Sequence, residues 1–72
     1  MTIHEALRMK RALVDMPRTE LSEKTGIPYS TLGLWEKGGG APTLVDCLRI
    51  ARGLGIAIEE LIAGVTLPED DQ

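Results

Sequence analysis

A glycine between two short helical patterns is the feature that most constrains how this chain folds. The two patterns are separated by no more than Thr25, Gly26 and Ile27. Glycine adopts the left-handed backbone conformation at little cost, so it ends a helix abruptly. We therefore expect the helix after Gly26 to leave at a steep angle to the helix before it.

Apolar residues on both sides of this turn are spaced to pack the two helices together; they are Leu21, Ile27, Leu32 and Trp35. At about 100° per residue, Leu32 and Trp35 share one sector of the second helix, which we expect to be buried. The other side carries Tyr29, Ser30, Gly33, Leu34 and Lys37. Because an α-helix held in this way fits the major groove of DNA, residues 17–38 are interpreted as a DNA-binding helix-turn-helix.

Capping and turn residues predict the other helix ends. Thr2 with Glu5 reads as a capping box, and Thr43 is a good N-cap with Asp46 at the third helical position. On the first helix, the apolar face is marked by Ile3, Ala6, Leu7, Leu13 and Val14. The sequence predicts an all-α, compact five-helix bundle with helices at about residues 3–14, 18–25, 28–37, 43–54 and 57–63. Residues 1–64 form the domain, and residues 65–72 form an acidic C-terminal tail.

The length and cysteine content restrict what can stabilise this fold. A chain of 72 residues buries only about 60% of its unfolded surface, and its single cysteine, Cys47, cannot close an internal disulfide. Either the core is efficient or a second copy helps to cover it. One unpaired cysteine and the lack of a signal or membrane segment favour a cytoplasmic protein. Without a catalytic or metal-ligand constellation, we expect no enzyme activity, metal, cofactor or small-molecule ligand.

The net charge of the whole chain is unfavourable for binding DNA, but the charge of its first half is less so. The net charge is −3, and three of the eleven acidic residues, Glu69, Asp70 and Asp71, lie in the tail. Residues 1–37 carry six basic and five acidic side chains, whereas residues 38–72 carry two and six. The positive charge therefore lies mainly in the half that holds the DNA-binding motif, which permits phosphate contacts.

Together these motifs resemble the Cro/repressor-type helix-turn-helix family, also called the XRE family, with its lambda-repressor-like fold. The shared features span roughly residues 3–64 and are Leu21, Gly26-Ile27, Leu32, Glu36-Lys37-Gly38, Pro42, Leu48-Arg49-Ile50-Ala51, Leu54-Gly55-Ile56 and Glu60-Leu61. The resemblance implies a transcriptional regulator of the phage, toxin–antitoxin or restriction–modification controller type, acting as a repressor. It also implies a homodimer that reads a two-fold-related site in double-stranded DNA, with the third helix in the major groove.

The resemblance also implies roles for individual residues. Arg18 would touch phosphate, with a base contact left open, while Tyr29, Ser30 and Leu34 would face the bases. The other implied DNA contacts are Thr19, Pro28, Thr31, Lys37 and Gly39. Arg11 and Glu36 match a pair that forms an inner salt bridge between the first helix and the end of the third.

The side of the third helix that is predicted to face the bases, called the reading face here, carries Tyr29, Ser30, Gly33, Leu34 and Lys37. It differs from the corresponding face of a protein that recognises bases strongly. Apart from peripheral Lys37 it lacks Arg, Lys, Asn and Gln, the side chains that recognise bases through two hydrogen bonds. Lys or Arg is common in the family where Gly39 and Gly40 stand here. Modest selectivity is therefore expected, and a protein-interaction adaptor or antitoxin module that binds little DNA remains the alternative. A steep salt dependence of binding would distinguish the DNA-binding protein from the adaptor.

The second half of the chain offers more apolar side chains than one short helix can hide. The candidates for a dimer surface are Ile56, Ile58, Leu61, Ile62 and Val65. Two copies joined there would place two reading helices on one DNA duplex, with half-sites about 34–36 Å apart.

Overall fold

The computed structural model describes residues 1–66 and shows five α-helices, which confirms the predicted all-α fold. The helices are α1 (Ile3–Leu13), α2 (Arg18–Thr25), α3 (Tyr29–Glu36), α4 (Leu44–Leu54) and α5 (Ile58–Ile62). Their ends differ from the predicted ones by at most one residue. None of the helices in this part of the chain has the length and apolar composition that crossing a membrane requires.

Both of the longest helices begin with a capping box, as predicted. The Thr2 hydroxyl accepts a hydrogen bond from the Glu5 N–H, and the Glu5 carboxylate accepts one from the Thr2 N–H. Thr43 and Asp46 make the same reciprocal pair at the start of α4. Each box satisfies backbone donors that the first turn of a helix leaves without partners, so these two starts are fixed by local sequence.

The turn between α2 and α3 is held by side chains as well as by the backbone of Gly26. Gly26 has φ 77°, in the left-handed region, and its N–H donates to the Ser22 carbonyl oxygen at 2.9 Å. The Ser22 hydroxyl donates to the Ile27 carbonyl oxygen at 2.6 Å, and the Ile27 N–H donates to the Thr25 hydroxyl at 3.2 Å. These bonds set the direction in which α3 leaves the turn.

The core lies where α2 and α3 pack against α1 and α4, with α5 covering one end. Its buried residues are Leu7, Leu21, Ile27, Leu32, Cys47, Ile50, Ala51, Leu54 and Leu61, and Trp35 is partly buried against them. Gly53 allows α4 to approach α2 closely, since a Cβ there would lie 2.9 Å from Cγ2 of Thr25. Burial, with the nearby Asp46 charge, raises the pKa of the Cys47 thiol, so the group stays protonated as part of the core.

The apolar face of α1 is buried at Ala6 and Leu7 but not at the end of the helix. Leu13 and Val14 have the same helical phase as the buried residues Ala6 and Leu7, but both are exposed, Leu13 by 70%. Helical phase gives the direction in which a side chain points, but it does not show whether another helix covers that side chain. In the described part of the chain, nothing covers the last turn of α1.

Residues near the end of the described chain return to its beginning. The Thr66 N–H donates to the Met1 carbonyl oxygen at 2.8 Å, and Val65 is half-buried. Residues 65 and 66, which the sequence assigned to the tail, therefore lie against the start of α1. The acidic residues Glu69, Asp70 and Asp71 fall outside the described residues.

Candidate nucleic-acid interface

One side of α3 is open to solvent and carries the side chains that were predicted to face bases. Tyr29, Ser30 and Leu34 are exposed, as is Lys37 just after the helix. With Arg18 and Gly33 these four residues line a shallow, open depression of about 320 Å³. The turn at Gly26 and the packing of Leu32 behind it hold this side of α3 away from the core. This side of α3 is therefore the part of the motif that is free to enter a DNA groove.

The other implied DNA contacts lie around this surface. Thr19 and Pro28 are exposed, and Thr31 is half-buried. Gly39 is also half-buried, because the Leu34 side chain occupies the space that a Cβ would need. Its N–H donates to the Leu34 carbonyl oxygen at 2.9 Å, so this donor is already used inside the protein. A DNA contact of Gly39 would therefore have to be made by other atoms than this N–H.

Gly33 does not face solvent as its helical phase predicted. It is buried because the Arg18 side chain crosses over it from the start of α2. A Cβ built on Gly33 would lie 3.0 Å from Nη1 of Arg18. The surface at the middle of α3 is consequently formed by an arginine from the neighbouring helix.

Arg18 lies against α3 and does not extend into solvent. Its Nη2 donates to Oε1 of Glu36 at 3.2 Å, and its guanidinium carbon is 5.2 Å from the centre of the Tyr29 ring. Its side chain is 24% exposed. The resemblance implied a phosphate contact for Arg18 and left a base contact open; in the structure its guanidinium lies against Gly33 and Tyr29, which line the depression with it.

Glu36 is the buried centre of this arrangement. Its carboxylate, 3% exposed, accepts hydrogen bonds from Nε of Arg11 at 3.0 Å and from Nη2 of Arg11 at 2.8 Å. Arg11 also donates through Nη1 to the Met16 carbonyl oxygen at 3.1 Å. The structure thus contains the inner pair that the family resemblance implied, and adds Arg18 as a second cation on the same carboxylate. These three side chains, Arg11, Arg18 and Glu36, are called the ion cluster below. The cluster connects α1, α2 and α3.

The ion cluster lowers the pKa of the Glu36 carboxyl. Desolvation at this buried position raises it, but the hydrogen bonds and positive charges of Arg11 and Arg18 outweigh that effect. Because the folded-state pKa lies below the unfolded one, the carboxylate stabilises the fold above the unfolded value of 4.5. That contribution is lost as the pH falls through the folded pKa.

We therefore expect the stability difference between the wild-type chain and the Glu36→Gln variant to shrink below about pH 4.5. Urea unfolding at a series of pH values from about 7 to about 3 measures it. Glu20→Gln, in the exposed ion pair of Glu20 with Lys24, is the matched control and should change little across this range. A Glu36→Gln difference that stays constant to pH 3 would contradict the lowered pKa.

The proposed dimer residues do not form one exposed surface. Leu61 is wholly buried in the core, so it cannot contact a second copy, and that part of the prediction was wrong. Ile56 and Ile58 are half-buried against the same core, and Val65 is half-buried. Ile62 is exposed.

Other exposed apolar residues in the second half were missed. Leu44, Val45 and Leu48 lie on one side of α4, and Leu44 is 75% exposed. Their signal was present in the sequence: at about 100° per residue they continue the apolar surface of α4 beyond the side that carries Cys47, Ile50, Ala51 and Leu54, which makes it wider than the core covers.

Comparison with known proteins supports the same type of domain. Residues 7–61 match a protein family described as helix-turn-helix. The chain is 31% identical over 61 residues to the cryptic phage CTXphi transcriptional repressor RstR of Vibrio cholerae serotype O1; the match covers 85% of this chain. It covers 54% of the repressor, so the chain spans about half the length of that relative.

A solved structure shows the same architecture. The restriction-modification controller protein C.AhdI from Aeromonas hydrophila matches with a TM-score of 0.76 and 29% sequence identity. The match covers 82% of this chain and 89% of the controller protein. The five-helix arrangement around the turn at Gly26 is therefore that of a known regulator fold.

Proposed function

This chain belongs to the helix-turn-helix family, of the XRE type that its motifs resemble, and from that membership we propose that it regulates transcription by binding an operator as a homodimer. The observation that carries the proposal is the exposed side of α3. The hydrogen-bonded turn at Gly26 and the ion cluster around Glu36 hold α3 so that Tyr29, Ser30, Leu34 and Lys37 are exposed on the same side. Repression is the activity that fits best, since one similar protein is a phage repressor. Because the chain is also similar to a restriction-modification controller protein, control of restriction-modification genes is a second setting for the proposed regulator.

The homodimer follows from the modest reading surface and from the exposed apolar residues. Each copy offers few side chains that bind bases through two hydrogen bonds, so two half-sites are needed for a useful affinity. The dimer surface is now proposed to involve the outer side of α4, with Leu44, Val45 and Leu48, together with Ile62. Three exposed apolar residues on one side of a helix are typical of protein–protein contacts, and Ile62 is the exposed one among the residues first proposed for the dimer.

Binding to DNA should depend steeply on salt. We expect the protein to bind random-sequence duplex at low ionic strength, with a slope of log K against log salt of about −0.9 for each phosphate contacted. Fluorescence anisotropy with a labelled duplex measures this slope. Lys37→Ala should weaken binding, whereas Lys24→Ala is the matched control, because Lys24 lies beside Arg49 and Arg52 in a separate depression. Selection of bound duplexes from a random pool should then return a two-fold-related site.

The alternative function is a protein-interaction adaptor or antitoxin module. Its support is specific: Leu34 is more than half exposed at the middle of the reading surface, and the chain carries a net charge of −3. An adaptor would bind no duplex at low salt, or would bind with little dependence on salt. Either result would reject the operator-binding function and favour the adaptor.

A further inference from the structure

The exposed side of α3 has a gap at its centre. Tyr29, Ser30, Leu34 and Lys37 surround Gly33, which contributes no side chain. The guanidinium of Arg18 fills that space, with Nη1 3.0 Å from the position of a Cβ on Gly33. Arg18 of α2 thus occupies the place that a side chain at position 33 of α3 would take.

The protein holds this guanidinium in a fixed orientation. Glu36 accepts a hydrogen bond from Nη2 on one side, and the Tyr29 ring lies 5.2 Å from the guanidinium carbon. Glu36 is itself fixed by the bidentate contact with Arg11. An ordered guanidinium loses less conformational entropy when it binds a ligand than a free side chain does.

Several hydrogen-bond donors of Arg18 are left for a ligand. A guanidinium has five N–H donors in one plane, and Glu36 accepts one hydrogen bond from it. Nε is buried without a hydrogen-bond partner among the described residues, so its N–H is not one of the donors that a ligand could reach. Nη1 lies over Gly33, both residues line the depression, and the Arg18 side chain remains about a quarter exposed. The site therefore offers coplanar N–H donors on the exposed side of α3.

A guanine edge matches this arrangement better than a phosphate does. In the major groove guanine presents O6 and N7, two acceptors in one plane, and arginine binds both. DNA phosphates line the outside of the groove, whereas the Arg18 guanidinium lies over Gly33, a position of α3 that the bound helix would turn toward the bases. We propose that Arg18, in the place of the side chain that Gly33 lacks, reads a guanine through O6 and N7. This inference rests on the proposed operator binding.

The test uses the full chain and duplexes selected from a random pool. Each guanine of the selected site is changed in turn to adenine, and in a second series to 7-deazaguanine, which lacks the N7 acceptor. We expect one guanine per half-site at which the change to adenine weakens wild-type binding by about 5- to 150-fold. Arg18→Lys should lose this preference but keep the slope of log K against log salt, since the charge is retained. Lys37→Ala, as the control, should weaken all duplexes alike and make the slope less steep by about 0.9.

Gly33→Ala provides an independent test, because it leaves Arg18 in the sequence and displaces it. The new Cβ would crowd Nη1, so the preference for the same guanine should fall, while circular dichroism and thermal unfolding show an intact fold. If Arg18→Ala instead weakens all duplexes equally and lowers the salt slope by about 0.9, Arg18 is a phosphate anchor and the inference is wrong. Unchanged binding in Arg18→Ala would also overturn it. In both cases the wild-type protein still binds duplex, which separates this failure from failure of the proposed function.

Discussion

Replacement of Glu36 by alanine is expected to lower the free energy of unfolding by about 3 kcal/mol. The change leaves Arg11 and Arg18 without the carboxylate that both of them bind. Removal of one partner from a buried ion pair costs about 3–5 kcal/mol, and we expect the lower end because the two arginines are each about a quarter exposed. A domain of this size has a total stability near the low end of about 5–15 kcal/mol, so much of it would be lost.

Denaturant unfolding at neutral pH measures this effect, and Glu20→Ala is the control. Glu20 forms an ion pair with Lys24 at 3.7 Å, but both side chains are about half exposed. Exposed pairs of this kind contribute about 0–1 kcal/mol, so the control should remain close to the wild-type chain. If Glu36→Ala cost no more than the control, the ion cluster would have no part in holding α1, α2 and α3 together.

The features that the sequence predicted well are those set by neighbouring residues. The capping boxes at Thr2 and Thr43 and the left-handed turn at Gly26 depend on side chains within a few positions. Backbone donors at a helix start and the conformational freedom of glycine are local properties, so a single sequence is sufficient to recognise them. The helix bounds were therefore correct to within one residue.

The features that were missed depend on contacts between helices. Helical phase placed Gly33 on the exposed side of α3, and this was correct for the helix by itself. It could not show that Arg18, fifteen positions earlier, crosses from α2 to cover that glycine, because the crossing depends on Glu36 and on how α2 packs on α3. A side chain of this length reaches several places, and tertiary structure selects among them.

The error on the dimer surface has a similar origin. Composition showed that the second half is rich in apolar residues, but it did not divide them between the core and the surface. α5 has five residues. Leu61 and Ile62 are adjacent in it, but Leu61 is wholly buried and Ile62 is exposed. Adjacent positions of a helix differ by about 100° in direction, so two neighbouring apolar residues can lie on either side of the boundary between core and surface.

Leu61→Ala should therefore act on the fold and Ile62→Ala on association. Leu61 has no exposed surface, and truncation of such a leucine costs about 2–5 kcal/mol through lost burial and the cavity that remains. We expect a large fall in melting temperature that does not depend on protein concentration. Ile62→Ala changes an exposed side chain, so the stability of one copy should change by less than about 0.5 kcal/mol.

The concentration dependence of unfolding distinguishes these two roles. If a second copy covers Ile62, the wild-type melting temperature rises with protein concentration, because association stabilises the folded state. In Ile62→Ala this rise should diminish, and sedimentation equilibrium should show weaker association. Leu44→Ala, on the outer side of α4, should behave as Ile62→Ala does if both belong to the same interface. A Leu61→Ala variant that kept its stability but lost association would place Leu61 at the interface and contradict its burial in the core.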